Sequence, residues 1–178
     1  VNVTDVNDAP LSTNDSVTTP EDTAVLLSLN DFGSYSDDNT LSPADVKITA
    51  LASNGSLEFF NGTSWVPVTL NQVISAASID AGSLRFVPDL NENGSPYATI
   101  SFQVGDGSAF SSDYTLTVNV TPVTETSQIL LGDTVTVNEK NLAKGTAPDS
   151  AAVTKTSTFT LNAPDGISAF YIGTTLVI

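Results

Sequence analysis

The chain has 178 residues, 40% of them apolar, which is enough for one domain with a sizeable core plus part of another. Twenty carboxylates face five cations and no histidine, a formal net charge of −15, so nucleic acid and anionic membrane are poor partners. The lack of cysteine excludes a disulfide framework and thiolate chemistry, the lack of histidine as well excludes ordinary zinc and iron sites, and no apolar run approaches the ~18 residues of a membrane span.

The chain opens on strand-like Val1-Asn2-Val3-Thr4, as a piece cut from a longer protein does. Asp5-Val6-Asn7-Asp8-Ala9-Pro10 follows as a linker, residues 1–10, whose extended backbone offers oxygen ligands from Asp5, Asn7 and Asp8 while Pro10 fixes the chain direction. The alternative reading is a metal-free turn rich in Asn and Asp. Val1-Asn2-Val3-Thr4 recurs as Val118-Asn119-Val120-Thr121 at an offset of 117, and Asn14 to Glu21 parallels Gly132 to Glu139 at 118, so the chain reads as a tandem array.

Residues 11–121 form the first expected domain. Short β-rich runs punctuated by Gly, Asn, Asp and Pro predict strands over 24–29, 46–51, 56–60, 64–70, 72–75, 83–87, 98–104 and 113–120. In 99–104 and 114–120 polar and apolar residues alternate, as a sheet packed on one face requires. Residues 76–81 carry a single short helical signal, and Asn61-Gly62 marks a hairpin. Strands at this spacing without helices predict an all-β, antiparallel Greek-key sandwich of cadherin or immunoglobulin type.

Such a topology sorts the loops between two poles. Those at 31–45 and 106–112 return to the linker, bringing Asp37, Asp38 and Asp106, with Asp31 in the same stretch. The opposite pole receives Glu21 and Asp22 from the loop after the first strand, together with Asp89-Leu90-Asn91-Glu92-Asn93-Gly94. That string has the alternating oxygens of a calcium loop, through Asp89, Asn91 and Asn93. It is no EF-hand, because Ile100 stands where the twelfth-position Glu belongs, and it reads equally as an Asn-Gly turn. Carboxylates from separate loops repel one another by up to ~1 kcal/mol per contacting pair in high dielectric, and a bound Ca²⁺ reverses that sign. The excess charge fits this placement: residues 1–121 carry −13 and residues 122–178 only −2. Acidic surfaces also serve solubility alone.

Residues 122–127 form a second linker, in which Pro122, Thr124 and Glu125 stand where the first has Asp5, Asn7 and Asp8. Weak or absent calcium binding is expected there unless Glu21, Asp22 and Glu125 converge. Residues 128–178 supply a few strands, the N-terminal part of a second, incomplete immunoglobulin-like repeat. With neither histidine nor cysteine no ordinary base serves a nucleophile, so an enzyme is not expected, whether a two-carboxylate glycosidase or a site at Lys140 or Lys144. The rival class is a binding module using Phe59, Phe60, Trp65, Tyr97, Phe110 and Tyr114 as a sugar- or peptide-docking platform. Alternation places most of these inward, as core.

The hexapeptide Asp5 to Pro10 resembles the calcium-binding interdomain linker of the cadherin family, Asp-x-Asn-Asp-x-Pro. Asn54 to Gly62, Gln72 to Ser75, Leu84 to Pro88 and Phe102 to Gly107, in that order, resemble the cadherin-like repeats of bacterial RTX adhesins and related type I secreted surface proteins. Val137-Asn138-Glu139 through Asn162 to Gly166 resembles another immunoglobulin-like repeat of such proteins. The resemblance implies secretion to the surface of a Gram-negative bacterium and a part in attachment or biofilm formation. It further implies a repeat that extends a ligand-binding tip, calcium as the stiffening ion, and neighbouring repeats of the same chain, with a host or surface ligand, as partners.

Overall fold

A computed structural model describes residues 6–124, 128–131, 158–163, 167, 169–172 and 175–177. The chain divides into two compact units, Val1–Val123 and Thr124–Ile178. The first contains β1 (Asp15–Pro20), β2 (Val25–Leu26), a 3-10 turn (Leu29–Phe32), β3 (Asp45–Ala50), β4 (Ser56–Phe60), β5 (Trp65–Pro67), β6 (Val73–Ser75), α1 (Ala76–Asp80), β7 (Leu84–Val87), β8 (Gly94–Gly105) and β9 (Tyr114–Thr121). In the second, β10 (Gln128–Leu131) pairs antiparallel with β11 (Phe159–Asn162), and β12 (Tyr171–Ile172) with β13 (Thr175–Leu176). The motif Val137-Asn138-Glu139 and residues Asp5, Glu125, Lys140 and Lys144 lie outside the described residues.

Two sheets face each other in the first unit. One has the order β1-β9-β8-β3-β6, the other β2-β7-β4-β5. All neighbours are antiparallel except β1 and β9, which run parallel from Asp15↔Leu116 to Pro20↔Thr121. This is the expected sandwich of immunoglobulin type.

The alternation that predicted β8 and β9 is what fills the core. Ile100, Phe102 and Val104 from β8 and Leu116, Val118 and Val120 from β9 point inward with Val46 and Ile48 of β3. They meet Leu57, Leu84 and Phe86 of the second sheet, and Phe32 closes edge-on against Phe102 at 5.1 Å between ring centroids. Burying such side chains stabilises by ~1.5–3 kcal/mol each, which fixes the pleat and the register of every strand that contributes one.

Four elements depart from the sequence expectation, among them the strand expected over 64–70, which is only Trp65–Pro67. The strand expected over 24–29 is only Val25–Leu26, because Ser28 and Asp31 turn the chain: the Asp31 Oδ2 accepts from the Ser28 backbone N–H at 2.7 Å and its hydroxyl at 2.8 Å, opening the 3-10 turn. β8 begins at Gly94, four residues before the expected 98. The strand Asp15–Pro20 carries a polar sequence that the alternation rule passes over.

Candidate functional site

Both poles of the sandwich gather acidic side chains, with opposite outcomes. At the pole where the linker enters, Asn7 Nδ2 donates to Asp106 Oδ2 at 2.9 Å, joining residues 99 positions apart. The other Asp106 oxygen accepts from the backbone N–H groups of Ser108 (2.6 Å) and Ala109 (2.7 Å). Those bonds, the Ala109 one foremost, hold the Asp106 pKa below the usual carboxylate range. Asp37 Oδ2 accepts from the Thr40 backbone and hydroxyl and the Asn39 backbone, and its pKa is lowered, chiefly by the Thr40 hydroxyl. The chain reaches this pole through an antiparallel bridge between Leu11 and Ser36.

The third acid here is one that the sequence reading passed over. Asp45 opens β3 opposite Gly105, the residue before Asp106. Its Oδ1 is buried and has no hydrogen-bond partner. Gly105 leaves room for it: a Cβ there would stand 2.2 Å from that oxygen and 2.9 Å from Phe110 Cε1. Desolvation first and the Asp106 charge second push the Asp45 pKa up, while Asp106 also acts on Asp37 and on Tyr35, whose own pKa burial raises. Asp37 and Asp45 thus each feel the Asp106 charge. Asp8 and Asp38 are exposed. The signal that marks Asp45 in the sequence is indirect: a lone acid at a strand start, with Gly105-Asp106 across the sheet.

At the opposite pole the expected residues also meet, Asp22 with Asn91 and Glu21 with Asn93. Asp22 and Asn91 both have φ +57, a left-handed conformation suited to Asx residues, and Asp22 Oδ1 accepts from the Asn91 N–H at 2.8 Å. Glu21, only 3% exposed, accepts from Asn93 Nδ2 at 3.1 Å with one oxygen and from the Val123 N–H at 2.5 Å with the other. Asp89 Oδ2 accepts from the Gly55 N–H at 2.8 Å, and the Tyr97 hydroxyl reaches Asp89 and Glu92. Burial is the main cause of the raised Tyr97 pKa. Every one of these contacts uses a carboxylate oxygen as a structural acceptor.

Among the described residues, no three or more acidic side chains lie close enough together to hold a metal ion as they stand. Two buried side-chain oxygens among the described residues lack a partner, Asp45 Oδ1 and Thr49 Oγ1, and of these the Asp45 carboxylate beside Asp106 fits a hard cation, since an oxygen buried without a donor costs about 1–3 kcal/mol until something binds it.

Of the six aromatic residues weighed as a platform, Phe59, Tyr97 and Tyr114 pack into or against the core. Phe60 and Trp65 do not: they pair across β4 and β5 on the outer face of the second sheet, with centroids 5.5 Å apart. The Arg85 guanidinium lies 4.1 Å from the Trp65 ring centroid and bonds Glu58 at 2.7 Å. Trp65 therefore has a face already stacked by a cation. Phe110, 37% exposed, lies under the Lys47 ammonium.

A family model described as a bacterial Ig domain matches residues 7–121, almost the whole of the first sandwich. No curated protein matches the chain. With two packed β-sheets in the first unit, almost no helix among the described residues and a family match over more than half its length, the chain belongs to the bacterial Ig domain family, whose modules are surface or structural repeats and typically non-catalytic.

Proposed function

We propose that residues 7–121 are a calcium-stabilised extender repeat of a secreted bacterial adhesin of the RTX type, exported by type I secretion and displayed at the surface of a Gram-negative cell. There it spaces a ligand-binding tip from the cell during attachment or biofilm formation, with neighbouring repeats as its immediate partners and a host or surface ligand as the tip's. It performs no catalysis. Asp45 is the observation that carries the calcium part: a carboxylate oxygen buried without a donor, its pKa raised beside Asp106, at the pole where the linker enters. Asn7, Asp37, Asp45 and Asp106 would be ligands or near neighbours of the ion, with Asp5 and Asp8 completing the shell from the linker and Asp38 contributing charge. Glu21, Asp22, Asp89, Asn91 and Asn93 are the weaker candidates, since the oxygens of the three acids already serve backbone or amide donors.

Extracellular modules bind Ca²⁺ with Kd of roughly 10⁻⁴–10⁻³ M, and a tenfold excess over Kd stabilises by about 1.4 kcal/mol per site. Thermal unfolding during a calcium titration, with magnesium as control, tests the proposal. A calcium-specific rise in Tm that is lost in Asp45→Asn and reduced in Asp5→Ala/Asp8→Ala supports it; a Tm indifferent to calcium overturns it. The rival, a carbohydrate- or peptide-binding module, draws on the outward position of Phe60 and Trp65. The Arg85 stack across the Trp65 ring weighs against it.

A further inference from the structure

We propose that Asn61, at the tip of the β4–β5 hairpin, is a site of spontaneous covalent modification, converted through a succinimide to aspartate and isoaspartate while the domain stays folded. The inference does not draw on the extender reading. The chain has three Asn-Gly steps, Asn54-Gly55, Asn61-Gly62 and Asn93-Gly94. A succinimide forms when the backbone nitrogen of the following residue reaches the asparagine Cγ, an approach that glycine, with no β-carbon, obstructs least. Sequence ranks the three steps alike, and the fold separates them.

Two of the steps are tied down. Asn54 Nδ2 donates to the Tyr97 carbonyl at 3.2 Å, and the Gly55 N–H donates to Asp89 Oδ2 at 2.8 Å. A β-carbon on Gly55 would stand 2.6 Å from the Phe86 ring, so that backbone is packed as well. Asn93 Nδ2 donates to Glu21 Oε2 at 3.1 Å, and Gly94 already pairs with Val120 in β8. In both, the leaving nitrogen is held and the backbone that must swing toward Cγ is fixed.

Asn61 differs at each of these points. It and Gly62 are exposed, and a β-carbon on Gly62 would meet nothing within 4 Å. Among the described residues no acceptor holds Asn61 Nδ2 or the Gly62 N–H. Asn61 Oδ1, by contrast, accepts the backbone N–H groups of Thr63 and Ser64, both at 3.0 Å. Such a turn folds the side chain back over the backbone that follows it. The same two donors polarise the side-chain carbonyl, and they receive the charge that develops on Oδ1 during attack, as the donors of an oxyanion hole do. The Gly62 nitrogen gives its proton to water and bonds Cγ, the Cγ–Nδ2 bond breaks, and ammonia leaves. Water then opens the ring at either carbonyl, so the net change is an amide and water to a carboxylate and ammonium. Opening at the main-chain carbonyl gives isoaspartate, which threads an extra methylene into the backbone of a tight hairpin. Phe60 and Trp65, whose ring centroids lie 5.5 Å apart across that hairpin, register the change.

The test follows each amide separately. The full chain is held in mildly alkaline buffer, folded or in denaturant, and peptide mass spectrometry reads the amide-to-acid mass gain at each asparagine over time. In the folded chain Asn61 is expected to convert about tenfold or more faster than Asn54 and Asn93, whose conversion waits on local opening, and in denaturant the three rates should converge. Equal rates at the three positions in the folded chain overturn the proposal. So does a folded rate at Asn61 more than about tenfold below its own rate in denaturant, because the turn then protects the amide. Trp65, the chain's single tryptophan, supplies a second readout. Its emission should drift in step with isoaspartate at position 61 in the unmutated chain and stay constant in Asn61→Ser, which has no amide to lose. A drift that Asn61→Ser retains overturns the coupling between the modification and the Phe60–Trp65 pair.

Discussion

The two poles of the sandwich hold comparable numbers of acids and handle them differently. At the far pole Glu21, Asp22 and Asp89 are each matched to a backbone or amide N–H, so their charge is absorbed by the fold itself. At the linker pole Asp37 and Asp106 are matched in this way, but Asp45 is left with an oxygen that nothing satisfies. Acid content alone therefore does not mark a cation site. What distinguishes the linker pole is an acceptor the protein has buried and not served.

The sharpest way to break this contrast is at Glu21. Glu21→Ala strips the Val123 and Asn93 donors of their acceptor inside the fold and is expected to cost about 2–4 kcal/mol, read from urea unfolding, by the same amount with calcium or chelator. A cost that appears only with calcium would make the far pole the metal site instead. The opposite sign is expected at Asp45. Without calcium, Asp45→Asn removes a desolvated charge and should stabilise by about 1 kcal/mol at neutral pH, while abolishing the calcium response, both read from Tm.

Acid titration sharpens the same difference. The folded pKa of Asp45 is raised, so the stability it contributes is fully present below its unfolded pKa and is lost as pH rises through the folded value. Those of Asp37 and Asp106 are lowered, so theirs is present above the unfolded pKa and is lost as pH falls through the folded values. In chelator, the unmutated chain should gain stability on acidification from neutrality through the Asp45 pKa and lose it below the ordinary carboxylate range. Asp45→Asn should show only the loss, which chemical unfolding at a series of pH values will read. Away from both poles no effect on the calcium response is expected: Trp65→Ala should cost about 1 kcal/mol or less through the lost Arg85 and Phe60 contacts and leave that response intact.

Much of the sandwich was legible because its central strands carry their own period. β4 was read to the residue, β9 to within one, and β8 over all but its first four residues and its last, since each alternates between a filled core and solvent. The edges were harder. β1 is polar, flanked by Asn14-Asp15 and ended by Pro20, so its local chemistry reads as turn, and only its pairing with β9 makes it a strand. Of the site, alternation placed the loops bearing Asp106 and Asn93 at the right poles. It could not separate acids spent on backbone donors from one left over, because hydrogen-bond satisfaction is a property of the packed structure. Asp45 was invisible for that reason, and the expectation that most of the aromatics face inward holds for Phe59, Tyr97 and Tyr114, while the pleat of β4 turns Phe60 outward to meet Trp65.

Gly105 carries a consequence for how this module can change over generations. A β-carbon there would collide with the Asp45 oxygen, so the two positions, sixty apart in sequence, cannot drift independently. A lineage that replaces Gly105 must move both the residue 45 side chain and the Phe110 ring, whose Cε1 would stand 2.9 Å from the new β-carbon. Related modules with a side chain at 105 should therefore also differ at 45 and 110, whereas loss of the acid at 45 leaves glycine free to remain.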